Sequence, residues 1–212
     1  MDLETGSDKS QYATLETIFK DDGFADFKWI APEQIVVAQW VRMKCMFGCS
    51  NYGRKGACPP QTLAVSDCER FFREYSDAVV FHLRLQNDDP EERIRWYRET
   101  ALKLVELERK AFLAGFERAC MLLFGGCYLC HECTGERSLC KLPEEARPAP
   151  EGLAVDVFST VKRLGYPISV LTESTQAADR YVFLWSTRLN DRPREWLGCT
   201  VERTQVHEIR QQ

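Results

Sequence analysis

Four cysteines fall within fourteen residues of this chain, Cys127-Tyr-Leu-Cys130-His-Glu-Cys133 and then Cys140, a C-x2-C-x2-C-x6-C run. Thiolates two residues apart turn inward from one loop onto a single centre. Two such steps in succession are the ligand pattern of bacterial-type iron–sulfur sites. A second group stands upstream as Cys45-x3-Cys49-x8-Cys58, followed by Pro59-Pro60, so seven of the ten cysteines lie in two compact groups. A chain so built is expected to fold around metal.

Composition narrows what else it can be. The chain has 212 residues and is 44% hydrophobic, enough to bury a core as one large domain or two small ones. A formal net charge of −4 argues against a nucleic-acid binder, which is normally basic. No apolar run reaches the length of a membrane span, and the first residues are acidic and polar, unlike a signal peptide. The expected location is the cytoplasm. In a reducing compartment clustered cysteines are metal ligands or redox groups rather than a disulfide framework.

The chain reads as α/β: a mixed β-sheet with packed helices and the cysteine loops at strand ends. Residues 1–12 read as a flexible polar tail, 13–200 as a single domain and 201–212 as a charged tail. Ile35–Val41 is a β-branched run leading into Cys45. A helix capped by Ser66 is expected over 66–75, then a strand over 78–85. Asp89, Pro90 and Glu92 supply a cap, a first helical residue and a capping-box glutamate. From there Ile94, Tyr97, Ala101, Leu104, Val105, Phe112 and Phe116 recur at helical spacing and predict a helix over 90–117. A strand over 121–124 ends at Gly125-Gly126, which turn into Cys127. A helix over 155–164 and strands over 168–172 and 181–185 complete the reading. On this reading each cysteine group follows a strand.

Cys127, Cys130, Cys133 and Cys140 supply four soft donors without help from elsewhere. Three cysteines at successive x2 steps suit an iron–sulfur cubane, whereas structural zinc usually takes two C-x2-C knuckles set further apart. Zinc remains the alternative. His131 lies inside the run and reads as solvent-facing loop. Cys45, Cys49 and Cys58 give only three thiolates, and a [4Fe–4S] cube so held leaves one iron open to water or substrate. The same logic separates catalytic from structural zinc. Candidates for a fourth ligand are Cys68, ten residues on, and the distant Cys199; Cys68 and Cys120 both read as core thiols. A radical-SAM reading fails, because the second gap is eight residues rather than two. Arg42, Lys44, Arg54 and Lys55 bracket the triad. They read either as a positive patch for an anionic substrate or redox partner or as solvated side chains on a turn.

The ordered pattern Cys45-x3-Cys49-x2-Tyr52-Gly53…Cys58-Pro59-Pro60, Gly126-Cys127-x2-Cys130-x2-Cys133…Cys140-x2-Pro143…Arg147-Pro148, then Val155-Asp156-Val157 and Gly165, resembles an uncharacterised family. It is the one called predicted metal-binding protein, domain of unknown function 2284, and the likeness spans roughly residues 35 to 185. Lys141 stands after the fourth cysteine where the family pattern has arginine, which keeps the charge and loses a bidentate contact. The resemblance implies metal binding and assigns no catalytic residue.

Two function classes follow. The first is a cytoplasmic protein with two [4Fe–4S] clusters, an all-cysteine cluster for electron transfer and a three-cysteine cluster open to a small-molecule ligand. Whether it is an enzyme or a carrier stays open. No G-x-G-x-x-G fingerprint for nicotinamide or flavin is present, so electrons would come from a partner such as a ferredoxin. The second is a zinc-stabilised binding module with structural cysteine sites and no redox role.

Overall fold

A computed structural model describes residues 6–85, 89–169 and 178–186. The elements are α1 (Gly6–Asp21), β1 (Phe27–Ile30), α2 (Gln39–Gly48), α3 (Val65–Arg73), β2 (Asp77–Leu85), α4 (Pro90–Leu113), β3 (Cys120–Leu122), α5 (Val157–Arg163) and β4 (Ala178–Ser186). Short 3-10 turns stand at Pro32–Gln34, Arg137–Leu139 and Pro150–Leu153. The α/β class is as expected from the sequence. The sheet runs β1-β2-β4-β3 and is antiparallel at every described pairing, in place of the mixed sheet expected.

Helices cover both faces of this sheet, which is why β2 reads as the unbroken apolar run Ala78-Val-Val-Phe81 rather than alternating with polar residues. Val79 and Phe81 point into one core with Leu15 and Phe19 of α1 and Leu104 and Leu107 of α4. Ala78 and Val80 point into the other, with Phe72 of α3, Val161 of α5 and Trp185 of β4. Phe72 lies stacked on Trp185 with ring centroids 4.6 Å apart. Successive strand residues serve opposite cores, so both faces are committed and a one-residue slip would exchange them.

α4 begins as its sequence predicts: the Asp89 carboxylate accepts from the backbone N–H groups of Glu91 and Glu92 at 3.0 and 2.9 Å. Its buried stripe is Tyr97, Thr100, Ala101, Leu104, Leu107 and Ala111, and the helix ends at Leu113 rather than 117. Ile94 and Phe112, expected in the stripe, are exposed, because the face turned to the sheet is centred about a quarter of a turn away from them.

Three other expectations change. Residues 6–12, read as tail, are the first turns of α1, and Tyr12 donates its hydroxyl to Asp77 at 2.9 Å. The helix expected from Ser66 starts at Val65 with Ala64 as its cap residue, so Ser66 caps nothing. Ile35–Val41 is not a strand. Only Val37 makes a bridge, to Val155, and from Gln39 the chain turns helical through Arg42, Met43, Lys44 and Met46, which favour helix over strand. The first cysteine group therefore leaves a helix, whereas the second leaves a strand as expected. Cys199, the 201–212 tail and most of the strand expected at 168–172 lie outside the described residues. No helix among the described residues is long and apolar enough to cross a membrane.

Candidate metal centre

The two cysteine groups, 69 residues apart from Cys58 to Cys127, come together at one end of the sheet. β3 ends at Leu122, its neighbour Leu123 donates its backbone N–H to the Pro148 carbonyl at 2.9 Å, and the chain then turns through Gly125-Gly126. A Cβ on Gly126 would lie 2.8 Å from the Asn51 side-chain nitrogen, so glycine there lets the 49–58 loop rest against the start of the 127–140 loop. Gly56 makes the second close approach. A Cβ there would meet the Glu136 carbonyl oxygen at 3.0 Å.

Cys127, Cys130, Cys133 and Cys140 all line one small cavity, closed from the other loop by Gly56 and Ala57. Backbone amides turn toward the sulfurs: Gly56 donates to Cys133 Sγ at 3.4 Å, and the Leu129 amide donates to Cys127. Burial disfavours the Cys133 thiolate, but the Gly135 and Gly56 amides and the ammonium groups of Lys55 and Lys141 outweigh it and hold this thiol below its ordinary value. Burial pushes the Cys127 thiol up, and the three neighbouring thiols add to that. His131 is exposed, as its reading as solvent-facing loop required, and so is Glu132 beside it.

Cys45 sits in the last turns of α2, Cys49 directly follows that helix, and Cys58 closes the turn behind it. The three line a cavity of about 350 Å³, shared with Trp40, Lys44, Tyr128, Glu151 and Phe158. Cys58 is pushed up to about 11, first by burial and then by Cys49, Cys45 and Cys127; the Cys127 amide donates to its sulfur and pulls the other way. That amide links the two cysteine groups directly. The Cys45 thiol points at the Glu151 carbonyl at 3.8 Å, and burial, then Cys49, raise its titration while the Arg42 charge opposes them.

The bracketing cations divide. Arg42 donates Nη2 to the carbonyls of Leu63 at 2.8 Å and Gly152 at 3.0 Å, so it fastens α2 to two neighbouring segments while leaving its charge beside Cys45. Lys44 lines the triad's cavity; Arg54 is exposed and does not. Lys55 lies over the Tyr128 ring, 5.8 Å from its centroid. Cys68 is fully buried with Phe72 in the second core, its thiol toward the Leu63 carbonyl at 3.7 Å, as a core thiol should be. Cys120 is half-buried, accepts from the Tyr75 hydroxyl and lies beside Glu108 rather than at either cavity.

Trp40, Asn51, Gly56, Tyr128 and Glu151 were not legible as site residues. Reading 39–48 as a helix would have placed Trp40, Lys44 and Cys45 on adjoining turns, and Gly56 carries only the general signal of a glycine-rich turn. Among the described residues no three His, Cys, Asp or Glu side chains converge tightly enough to hold a single metal ion. The donor chemistry is nevertheless that of a thiolate metal centre: seven thiols on two adjoining cavities, with amide N–H groups and lysines turned to the sulfurs. No curated protein and no solved structure matches the chain. The family model described as predicted metal-binding protein (DUF2284) matches residues 28–185, a span that holds both cysteine groups and all but the outermost residues of the four strands, and the chain belongs to that family.

Proposed function

We propose that this is a cytoplasmic iron–sulfur protein with two [4Fe–4S] clusters, one held by Cys127, Cys130, Cys133 and Cys140 and one by Cys45, Cys49 and Cys58. The observation that carries the reading is the shared cavity of the four second-group thiols, with the Gly56 amide of the other loop given to Cys133. The x2, x2 spacing of the first three agrees with it. Bound there, such a group supplies one-electron transfer. The residues of the chain do the rest. The Gly56 and Gly135 amides and the Lys55 and Lys141 charges stabilise the Cys133 thiolate, and the buried Leu129 and Ala146 side chains keep water from the loop. At the triad three thiols face a cavity rather than a closed loop, and Cys68 is turned into the core. That leaves the fourth position to a small molecule or to Cys199. Electrons would come from a partner protein such as a ferredoxin.

The test is iron, acid-labile sulfide and zinc per chain on protein purified without oxygen. About eight iron with matching sulfide is the expected result for two cubanes. About one or two zinc with no sulfide overturns the reading and leaves a structural metal module.

A further inference from the structure

α2 has an outer face that the thiols do not use. Trp40, Met43 and Phe47 recur along it at helical spacing, the first two about half exposed and Phe47 exposed over 79% of its surface, with Met46 bare beside them. Met43 and Phe47 stand on the far side of the helix from Cys45, and neither lines the triad's cavity. Metal held by the triad leaves them uncovered, with one helix thickness, about 10 Å, between them and it. Scattered apolar residues are ordinary on a surface, but a contiguous stripe marks a contact site. Trp, Phe and Met are the residues enriched at the centres of protein interfaces, and flexible methionines adapt to a partner.

Charge says what kind of partner. Residues 34–66 hold Arg42, Lys44, Arg54 and Lys55 and no aspartate or glutamate, in a chain whose net charge is −4. Lys44 edges the stripe, one helical turn from both Trp40 and Phe47, and Arg54 is exposed on the turn after Cys49. The nearest carboxylate residues, Glu151 and Asp156, belong to segments across the triad's cavity rather than to α2. Exposure suits such cations to steering, since they act through solvent as a partner approaches. A second copy of the chain would bring the same cations to the contact. We infer that the outer face of α2 is the docking surface for a small acidic one-electron carrier protein. The inference rests on the two-cluster reading and names where its electron donor binds. One electron leaves the docked carrier, which is oxidised, and crosses α2 to the triad's centre, which is reduced. A patch of this extent suits the brief encounters of electron carriers.

Titration calorimetry on the metal-loaded full chain tests it, with a plant-type [2Fe–2S] ferredoxin as the acidic probe and cytochrome c as a basic control. The ferredoxin is expected to bind, about tenfold more weakly in 200 mM than in 20 mM salt, and cytochrome c is not. Met43→Ser and Phe47→Ser should each weaken the ferredoxin by about tenfold at either salt, and Lys44→Glu should weaken it chiefly at low salt. Iron and sulfide are measured on every sample, and dithionite, which needs no docking surface, reads the clusters by themselves. Calorimetry reads docking whichever metal is held, so a failed cluster assignment and a failed docking assignment are separate results. Ferredoxin that binds no better than cytochrome c, binding indifferent to all three substitutions, or a dimer seen by sedimentation that Phe47→Ser dissolves overturns the inference.

Discussion

The Gly56 amide donates to the Cys133 sulfur across 3.4 Å, joining the turn of one cysteine group to the loop of the other. The Glu136 carbonyl and the Arg137 amide press against the same glycine, at 3.0 and 3.3 Å from where a Cβ would stand. These are backbone atoms and have no rotamer by which to yield. Gly56→Ala therefore separates the loops and withdraws the amide. We expect a cost of roughly 1–3 kcal/mol, as for other overpacked sites, and lower metal content at the 127–140 site. Elemental analysis with thermal unfolding on the variant checks both. Unchanged metal content would show that the 127–140 loop holds its metal without this contact.

Arg147 and Glu108 form a two-pronged, largely buried charge pair behind the second cysteine loop. The guanidinium places Nη2 2.6 Å from one carboxylate oxygen and Nε 3.1 Å from both, while the second oxygen also accepts the Met121 backbone N–H at 2.6 Å. The pair ties the segment after the second cysteine loop to α4 and to the start of β3. Arg147→Met leaves the half-buried Glu108 carboxylate with only the amide. Breaking a buried pair in this way costs about 3–5 kcal/mol, and partial exposure here brings the expectation to about 2–3 kcal/mol. The unfolding midpoint should fall by roughly 5–10 °C, and Arg147→Lys should recover less than half, since an ammonium cannot make the two-pronged contact.

How far the sequence revealed this molecule depends on which forces are local. The α4 start, β2 and the turn into Cys127 were legible because an aspartate cap, an apolar run and paired glycines act over a few residues. Strand direction was not, since it is set by long-range pairing such as Phe81 with Val182. α2 was misread because Ile35, Val36 and Val37 carry strand propensity, yet Val37 finds only a single bridge and the helix-favouring residues behind it prevail. At the site, the ligand sets were visible as spacing. Their adjacency was not, because nothing in either loop announces that Cys58 will receive the Cys127 amide. Glu108 and Arg147 find each other for the same tertiary reason.

Cys68 and Cys130 provide a contrast that tests the ligand assignment within one protein. Cys68 is fully buried beside Phe72, while Cys130 lines the second-group cavity. Cys68→Ala removes a core sulfur and should cost about 1 kcal/mol or slightly more with metal content unchanged. Cys130→Ala should lower metal per chain at similar or greater cost, because metal binding free energy is folding free energy. Metal lost on Cys68→Ala, and retained on Cys130→Ala, would reverse the assignment.

The thiols should also separate by reactivity and by pH in the metal-free chain. The thiolate is the nucleophile, and Cys133 alone among the shifted thiols lies below its ordinary value, whereas Cys58 and Cys120 are both pushed up to about 11. Iodoacetamide at pH 7.5 should therefore modify Cys133 before Cys58 and Cys120, read by peptide mass mapping over time. For stability the sign runs the other way from a paired carboxylate. Burial, then the nearby Glu108 charge, keep the Cys120 proton on in the folded chain up to about 11, against an ordinary value of 9.0. The folded state thus binds a proton that the unfolded chain has already released, and this contribution is whole below about 9 and lost as pH rises through about 11. The urea midpoint of the metal-free protein should accordingly fall between pH 8.5 and 10.5. Cys120→Ala should flatten that fall in part, with Cys58 accounting for a further share. A midpoint that rises over the same window would show that these thiols ionise more readily folded than unfolded, and would contradict their burial as the controlling force.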